Sequence, residues 1–359
     1  MKTLIAKIND LKNSTEDMAS IKRAGDIIKA GGLVGFPTET VYGLGADAMN
    51  AEAAAKIYAA KGRPSDNPLI VHIADIEMLY PLVDEVPEKA QILMDTYWPG
   101  PMTLIFNKSD MVPKGTTGGL DTVAIRMPDN EIALELIKAS GTGIAAPSGN
   151  LSGKPSPTIA EHMIDDMDGR IDMIIDGGMV GIGIESTIID VTCDPPMILR
   201  PGYITKEMLE ETIGTVEYDR AIFEKPGEDV HPKAPGMKYR HYAPSGEFIM
   251  FDGDIEDLSQ EIIKRAIEAL EADKKIGVIT TQDHLGYYEK IFRRPGIDIV
   301  CMGDTTKPET IANELYKVLR DFDKKDTEII MGETFATDNI GQAIMNRLTK
   351  AAGYNIISV

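Results

Sequence analysis

Residues 61–73 read KGRPSDNPLIVHI, a loop broken by Gly62, Pro64 and Pro68 that leads straight into the apolar run Leu69-Ile70-Val71-His72-Ile73. The stretch before it, residues 51–60, has helical spacing, so a helix, a basic loop and a buried-type strand follow one another directly. That succession points to helices and strands sharing one layered α/β structure. The loop's cations, Lys61 and Arg63, stand beside the amide Asn67 in a chain with 57 acidic and 37 basic residues and a formal net charge of -20. Taken alone, the loop has two open readings: an anion site, or a solvated turn whose Lys and Arg face water.

Working outward, Ser14 to Asp17 resembles a capping box, and Met18, Ile21, Ala24, Ile27 and Ile28 follow at helical spacing until Gly31-Gly32. Strands are expected over residues 33–36, 69–73, 102–106, 122–127, 144–146, 173–175, 186–191 and 197–199, with a helix over 131–139. Strands come both singly between helices and in succession, which predicts a twisted mixed sheet with flanking helices. From about residue 213 to 245 the apolar periodicity fades while Pro226, Pro232, Pro235, Gly236 and Pro244 accumulate, the composition of an extended linker. Beyond it, strands at 248–251, 276–280, 297–302 and 328–331 alternate with helices at 255–272, 309–322 and 340–352. That alternation predicts a small doubly wound α/β domain. The expected organisation is a first domain over residues 1–212, a linker over 213–245 and a second domain over 246–359.

A length of 359 residues fits two domains. No stretch approaches the ~20 consecutive apolar residues that cross a bilayer, and the start MKTLIAKIND lacks a signal-peptide apolar region, so a cytoplasmic protein is expected. Cys193 and Cys301 lie far apart in apolar neighbourhoods and are expected in the core, without a disulfide. The acidic balance opposes passive adhesion to nucleic acid, whose phosphates are held by Lys and Arg. It leaves room for a small anionic ligand in a local basic pocket. The five histidines, at 72, 162, 231, 241 and 284, have no metal-ligand spacing, and no protein-built metal site is expected. The second domain carries neither a dinucleotide fingerprint nor a P-loop, and no G-x-S-x-G elbow is present.

Several further segments carry chemistry. Phe36-Pro-Thr-Glu-Thr-Val-Tyr-Gly-Leu-Gly45 follows a strand directly, where open α/β sheets offer hydroxyls and backbone N–H groups to ligands; a plain polar turn is the alternative. Ala145-Ala-Pro-Ser-Gly-Asn-Leu-Ser-Gly-Lys-Pro-Ser-Pro157 places Ser148, Asn150, Ser152 and Ser156 beyond another strand, suited to phosphate or ribose. A flexible Ser/Gly loop is the bland alternative, and Pro147, Pro155 and Pro157 count against it by stiffening the chain. Arg126 and Arg200 sit at strand ends and offer planar forks for carboxylate or phosphate, or serve as surface ion pairs. Ser186 and Thr187 fall on a strand between them, and residues 235–244 form an aromatic and basic cluster. Without an obvious nucleophile, such a set of cations, hydroxyls and amides works by positioning reactants and neutralising charge.

In this order, FPTETVYGLG, KGRPSDNPLIVH, WPGPMTL, GLDTVAIRMP, APSGNLSGKPSPT, DGG, ESTIIDV, LRPG and PGMKYRHYAP, spanning residues 36–244, closely resemble the threonylcarbamoyl-AMP synthase family in its long form. The resemblance implies a YrdC-like twisted mixed sheet around an open, positively charged cavity, followed by a linker and a Rossmann-like C-terminal domain. The implied reaction joins L-threonine, bicarbonate and ATP into L-threonylcarbamoyladenylate with release of pyrophosphate, toward N6-threonylcarbamoyladenosine in tRNA. Carried over by motif, threonine is expected at Thr40, His72, Arg126, the backbone of Ala146, and Ser186. ATP is expected at Arg63, Asn67, Thr122, Ser148, Ser156 and Arg200, with Lys61 and Asn150 on the phosphates and Tyr242 closing over the nucleotide. Lys61 and Arg63 are the expected catalytic cations, Mg2+ is expected to arrive with ATP, and the product is expected to pass to downstream tRNA threonylcarbamoyl-transfer proteins. Where the family usually has alanine between Ser148 and Asn150, this chain has Gly149, expected to loosen the loop.

Two competing functions remain. An RNA-binding module is disfavoured by the acidic balance and by an expected lack of exposed aromatic platforms, and stable nucleic-acid binding is not expected. A carbamoyltransferase would be expected to carry extra zinc-finger and acylphosphatase-like regions, and none is visible. The second domain is expected to control access to the cavity through residues 237–242.

Overall fold

Ser14 caps the first long helix by accepting the Asp17 amide at 3.0 Å, and Asn50 caps the next one through the amides of Glu52 and Ala53. These and all contacts below come from a computed structural model that describes residues 2–224, 232–237, 241–291 and 294–359. The chain divides into two compact units, Met1–Ser152 with Ser156–Tyr239, and Gly153–Pro155 with Arg240–Val359.

The first unit runs β1 (Leu4–Lys7), α1 (Thr15–Lys29), β2 (Val34–Phe36), β3 (Gly43–Asp47), α2 (Ala51–Lys61), β4 (Ile70–His72), α3 (Glu88–Tyr97), β5 (Met102–Asn107), β6 (Thr122–Arg126), α4 (Glu131–Ser140), β7 (Ile144–Ala146), α5 (Ala160–Met167), β8 (Met173–Asp176), β9 (Thr187–Asp190), β10 (Met197–Arg200), α6 (Lys206–Ile213) and β11 (Glu217–Tyr218). One mixed sheet joins its strands in the order β1-β8-β2-β3-β7-β4-β6-β5-β9-β10-β11. β4 runs parallel to β6 and antiparallel to β7, and β5 runs antiparallel to β6 and parallel to β9. Helices α1 and α4 pack against each other and over Val34, Phe36, Ile144 and Ile175. A second apolar cluster gathers α2, α3 and α5 around Leu44, Val71, Leu104 and Ile125. Those paired clusters confirm the expected mixed sheet with flanking helices.

The second unit adds β12 (Glu247–Asp252), α7 (Ile255–Glu271), β13 (Ile276–Thr280), β14 (Ile297–Cys301), α8 (Pro308–Lys324), β15 (Ile329–Glu333), α9 (Gly341–Ala351) and β16 (Ile356–Ser358). Its five strands are parallel, in the order β14-β13-β15-β12-β16. Chain order and sheet order differ because each helix crossover passes over one strand: α7 leads from β12 past β15 to β13, α8 from β14 past β13 to β15, and α9 from β15 past β12 to β16.

Two expectations need correction. Cys193 and Cys301 are exposed free thiols rather than core residues. Apolar neighbours in sequence misled here, because Cys193 falls in the turn between β9 and β10 and Cys301 ends the edge strand β14. Second, the segment read as extended linker begins with structure: β11 pairs β10, and Val216 and Ile222 are buried. A strand of two residues is too short to show a period of two. Residues 43–47, for which a polar turn is the alternative reading, form the buried strand β3. Gly43 and Gly45 lie there because the Phe36 ring covers them, 3.2 and 2.8 Å from where their Cβ atoms would stand. The linker residues 225–231 and 238–240 lie outside the described residues.

Candidate active site

Strand alternation sets the floor of the site. On β6, Thr122, Ala124 and Arg126 share one face, and β4 lies in register beside it, Ile70 against Ala124 and His72 against Arg126. Ile105 on β5 faces Ala124 from the other side, and Thr103 falls two residues further along that same face. Ile70, Ile105, Ala124, Ile188 and Leu199 form an apolar cluster, with Ala234 and Met237 of the linker packed on it. Polar side chains gather at one end of this apolar floor and in the loops leading to β4 and out of β7.

At the first end the side chains are deeply buried: Thr40, Thr103 and Ser186 at 0 %, His72 and Arg126 at 4 %, Arg200 at 6 % exposure. Arg126 donates from Nη1 to Thr40 Oγ1 at 3.0 Å and from Nε to the Gly100 carbonyl at 3.3 Å. Its Nη2 stands 2.6 Å from Glu39 Oε1, an ion pair by distance that lacks the alignment of a hydrogen bond. Arg200 grips Ser186 twice, from Nε to the carbonyl and from Nη2 to Oγ, each at 3.0 Å, and Ser186 Oγ also lies 2.7 Å from Thr103 Oγ1. The His72 ring meets the Phe36 ring edge-on, with Nδ1 3.1 Å from the Ile70 carbonyl. Burial first, and the neighbouring Arg126 charge second, push the His72 imidazole down to about 3. With the imidazole neutral, the cations of this end are the Arg126 and Arg200 guanidinium groups, and the Glu39 carboxylate stands against Arg126.

The second polar group is built by the 61–68 loop and the segment after β7. Gly62 ends α2 with φ 62°, a left-handed conformation glycine takes at little cost, and so aims the chain into that loop. Lys61 is 2 % exposed, and its Nζ donates to the carbonyls of Ser148 and Asn150, tying the loop to a segment far along the chain. Ser148 Oγ donates to Asn150 Oδ1 at 2.6 Å, and Ser148 forms an antiparallel bridge with Gly43. Arg63 Nη2 donates to the Pro68 carbonyl at 3.2 Å. Tyr58, its phenol pushed up to about 12 by burial, donates to the Asn67 carbonyl at 3.1 Å and holds that residue in place. Asn67 is 1 % exposed, and its Oδ1 accepts no hydrogen bond among the described residues.

The remaining expected residues fall as follows. Thr122 is half-buried at the start of β6 opposite Asn107, and Ala146 ends β7 opposite Ile70. Ser156 is fully buried and donates to Glu185 Oε1 at 2.5 Å. Tyr242 belongs to the second unit, where its ring stacks on Tyr316 at 5.3 Å with the Arg347 guanidinium 5.8 Å away. Gly149 does not loosen its loop: Met163 Sδ occupies the place of an alanine methyl, with Cε 2.7 Å from the Cβ position. Sequence reasoning missed Glu39, Tyr58, Thr103 and Glu185 as members of the site. Each lies inside or beside a motif already singled out, but its partner is far away in sequence, Arg126 for Glu39 and Ser186 for Thr103. Among the described residues, no group of three or more His, Cys, Asp or Glu side chains is placed to hold a metal ion, and no helix is long and apolar enough to cross a membrane.

Comparison with known proteins adds the following. A family model for Sua5/YciO/YrdC proteins, described as telomere recombination, matches residues 26–202, and a model described as threonylcarbamoyl-AMP synthase, C-terminal domain, matches residues 204–353. The chain is 48% identical over 339 residues to a Pyrococcus abyssi protein named threonylcarbamoyl-AMP synthase, covering 94% of this chain and 96% of that one. A Bacillus subtilis protein of the same name is 48% identical over 345 residues, covering 96% of each chain. A crystal structure of Pyrococcus abyssi Sua5 complexed with L-threonine superposes with a TM-score of 0.90 at 44% identity, covering 100% of both chains.

Proposed function

The chain belongs to the threonylcarbamoyl-AMP synthase family, and on that premise we propose how its residues turn L-threonine, bicarbonate and ATP into L-threonylcarbamoyladenylate and pyrophosphate, for the N6-threonylcarbamoyladenosine of tRNA. The observation that carries the residue assignment is the pairing of two cationic polar groups across one sheet: Thr40, His72, Arg126 and Ser186 at the end of the floor, and Lys61, Arg63, Asn67, Ser148 and Asn150 in the loops. Threonine belongs at the first group, by the motif positions of Thr40, His72, Arg126 and Ser186; that a Pyrococcus abyssi Sua5 structure is complexed with L-threonine supports threonine as the substrate. Arg126 takes its carboxylate, and Thr40, Ser186 and the Ala146 backbone fix its orientation. ATP belongs at the second group, with Thr122, Ser156 and Arg200 completing its contacts. Lys61 and Arg63 counter the repulsion between a carbamate and the α-phosphate it attacks, and pyrophosphate leaves with the bonding pair.

Lys61 contributes in two ways. Its charge lies beside the Ser148–Asn150 backbone, and its hydrogen bonds hold that segment's shape before any nucleotide arrives. Mg2+ would come bound to the ATP phosphates and offset their charge, since no described cluster of carboxylates forms a protein cage. Bicarbonate enters as co-substrate, and the adenylate passes to downstream tRNA-modifying proteins. A cytoplasmic setting suits a tRNA-directed product. Four aromatic side chains, Tyr80, Tyr203, Phe223 and Tyr287, are exposed, contrary to the sequence expectation, so the argument against an RNA-binding module rests on charge.

The test is pyrophosphate release with threonine, bicarbonate and ATP omitted in turn. Release should need all three, and Lys61→Ala or Arg63→Ala should lower it at least tenfold, about 1.4 kcal/mol of transition-state binding. Near-normal rates in both variants would remove those residues from the mechanism.

A further inference from the structure

Glu39 sits between Thr38 and Thr40 in the loop after β2, its side chain 13% exposed, with Oε1 2.6 Å from Nη2 of the 4%-exposed Arg126. Both carboxylate oxygens are shielded from solvent, yet neither accepts an aligned hydrogen bond among the described residues, and Arg126 Nη2 donates none. Buried carboxylates ordinarily collect such bonds, because leaving acceptors unmade in a water-poor site is costly. The guanidinium is meanwhile fixed on its other sides by Thr40 and the Gly100 carbonyl. The site therefore holds a rigid cation and, against it, an anion with unfilled acceptor capacity.

We propose that Glu39 binds the α-ammonium of threonine opposite the carboxylate held by Arg126, and accepts its proton so that the amine can attack carbon. This rests on the reaction proposed above. An amino-acid zwitterion carries its two charges on one carbon, and a cation and an anion 2.6 Å apart present the complementary pattern. Docked crosswise, each substrate charge meets its opposite, and Glu39 gains the N–H donors it lacks.

The chemistry balances. An N–H bond of the ammonium breaks, its proton goes to a Glu39 oxygen, and its electron pair stays on nitrogen. That pair forms the N–C bond to bicarbonate carbon, and the bicarbonate hydroxyl leaves as water with the proton from Glu39. Giving up that proton restores the Glu39 carboxylate, and loss of one remaining N–H proton to solvent gives the carbamate. The other charged and titratable groups packed at this end are Arg126 on β6, His72 on β4, Arg200 on β10 and Glu185 beside Ser186. The arginines cannot take a proton, and the Glu185 carboxylate already accepts from Ser156. His72 is a poor acceptor, since burial and Arg126 hold its ring neutral down to about 3.

The test compares kcat/KM for threonine in wild type and Glu39→Gln between about pH 6.5 and 9, with thermal melting to check folding. Without the carboxylate the reaction depends on threonine that is already a free amine. The variant-to-wild-type ratio should therefore lie below about one tenth at neutral pH and climb about tenfold per pH unit. A merely structural role lowers the ratio equally at every pH, and that result overturns the inference. A second arm needs only the wild type: 3-hydroxybutanoate keeps the carboxylate and hydroxyl but has no amine, and should compete at least about a hundredfold more weakly than threonine binds. Competition within about tenfold of threonine overturns the ammonium contact whether or not Glu39→Gln folds. Wild type that releases no pyrophosphate in response to threonine and bicarbonate overturns the reaction itself, which separates the two failures.

Discussion

Protonating His72 in the folded first unit would place a second cation beside Arg126 in a site shut off from water. The ring is 4 % exposed, and burial and Arg126 lower it to about 3, against about 6.5 for an unhindered histidine. Above about pH 6.5 neither the folded nor the unfolded chain protonates it, and the ring's contribution to stability is fully present. As pH falls from about 6.5 toward 3 the unfolded chain binds a proton that the folded chain refuses, so stability is lost at about 1.4 kcal/mol per unit. Between about pH 6.5 and 4.5 that is about 2.7 kcal/mol, a large part of the 5–15 kcal/mol typical of a domain. Urea unfolding of wild type and His72→Gln, followed by the fluorescence of Trp98, measures this directly, since Trp98 is the chain's single tryptophan and is buried in the first unit. Carboxylate titrations are common to both proteins and cancel. The stability difference should shift against wild type by about 1.4 kcal/mol for each unit below about pH 6.5. A difference independent of pH would show that the folded ring takes up its proton normally and would refute the reasoning.

Two more predictions follow from packing. Gly149→Ala should cost about 1 kcal/mol of stability through overlap with Met163, and adding Met163→Val, whose side chain has no atom beyond Cγ, should restore part of it in the same unfolding assay; a neutral single variant would show that Met163 swings aside freely. Tyr316→Ala empties a fully buried place on α8 and removes the ring on which Tyr242 stacks, and should cost about 3 kcal/mol of stability in thermal melting; an unchanged melt would show that the second unit closes over the gap.

Much of the fold was legible because local signals agree with the tertiary structure. The Ser14 cap, the period of α1, and the uninterrupted apolar strands β4, β6, β7 and β13 all mark themselves in sequence. The elements that escaped lack such signals for physical reasons. Two of the five residues of β3 are glycines, packed under the Phe36 ring. α3 starts at Pro87 without a side-chain cap, and α5 buries His162 and Asp166 along with Met163, so neither shows a clean amphipathic start. The edge strands β1 and β16 are only four and three residues long. At the site, motif order supplied the cations and hydroxyls, which are local properties of loops. Pairing across the sheet was not legible: Glu39 with Arg126, Thr103 with Ser186, and Lys61 with the carbonyls of Ser148 and Asn150 depend on strand register, which a single sequence does not specify.

The two exposed thiols have a practical use. The chain has only two cysteines, both are accessible, and they fall one in each compact unit, Cys193 in the first and Cys301 in the second. A thiol-directed spin or fluorescent probe therefore labels each unit once in the unmodified protein. Pulsed dipolar spectroscopy or energy transfer between the two labels can then follow the distance between the units as threonine, ATP or the pair is added, with no substitution to disturb the site being watched.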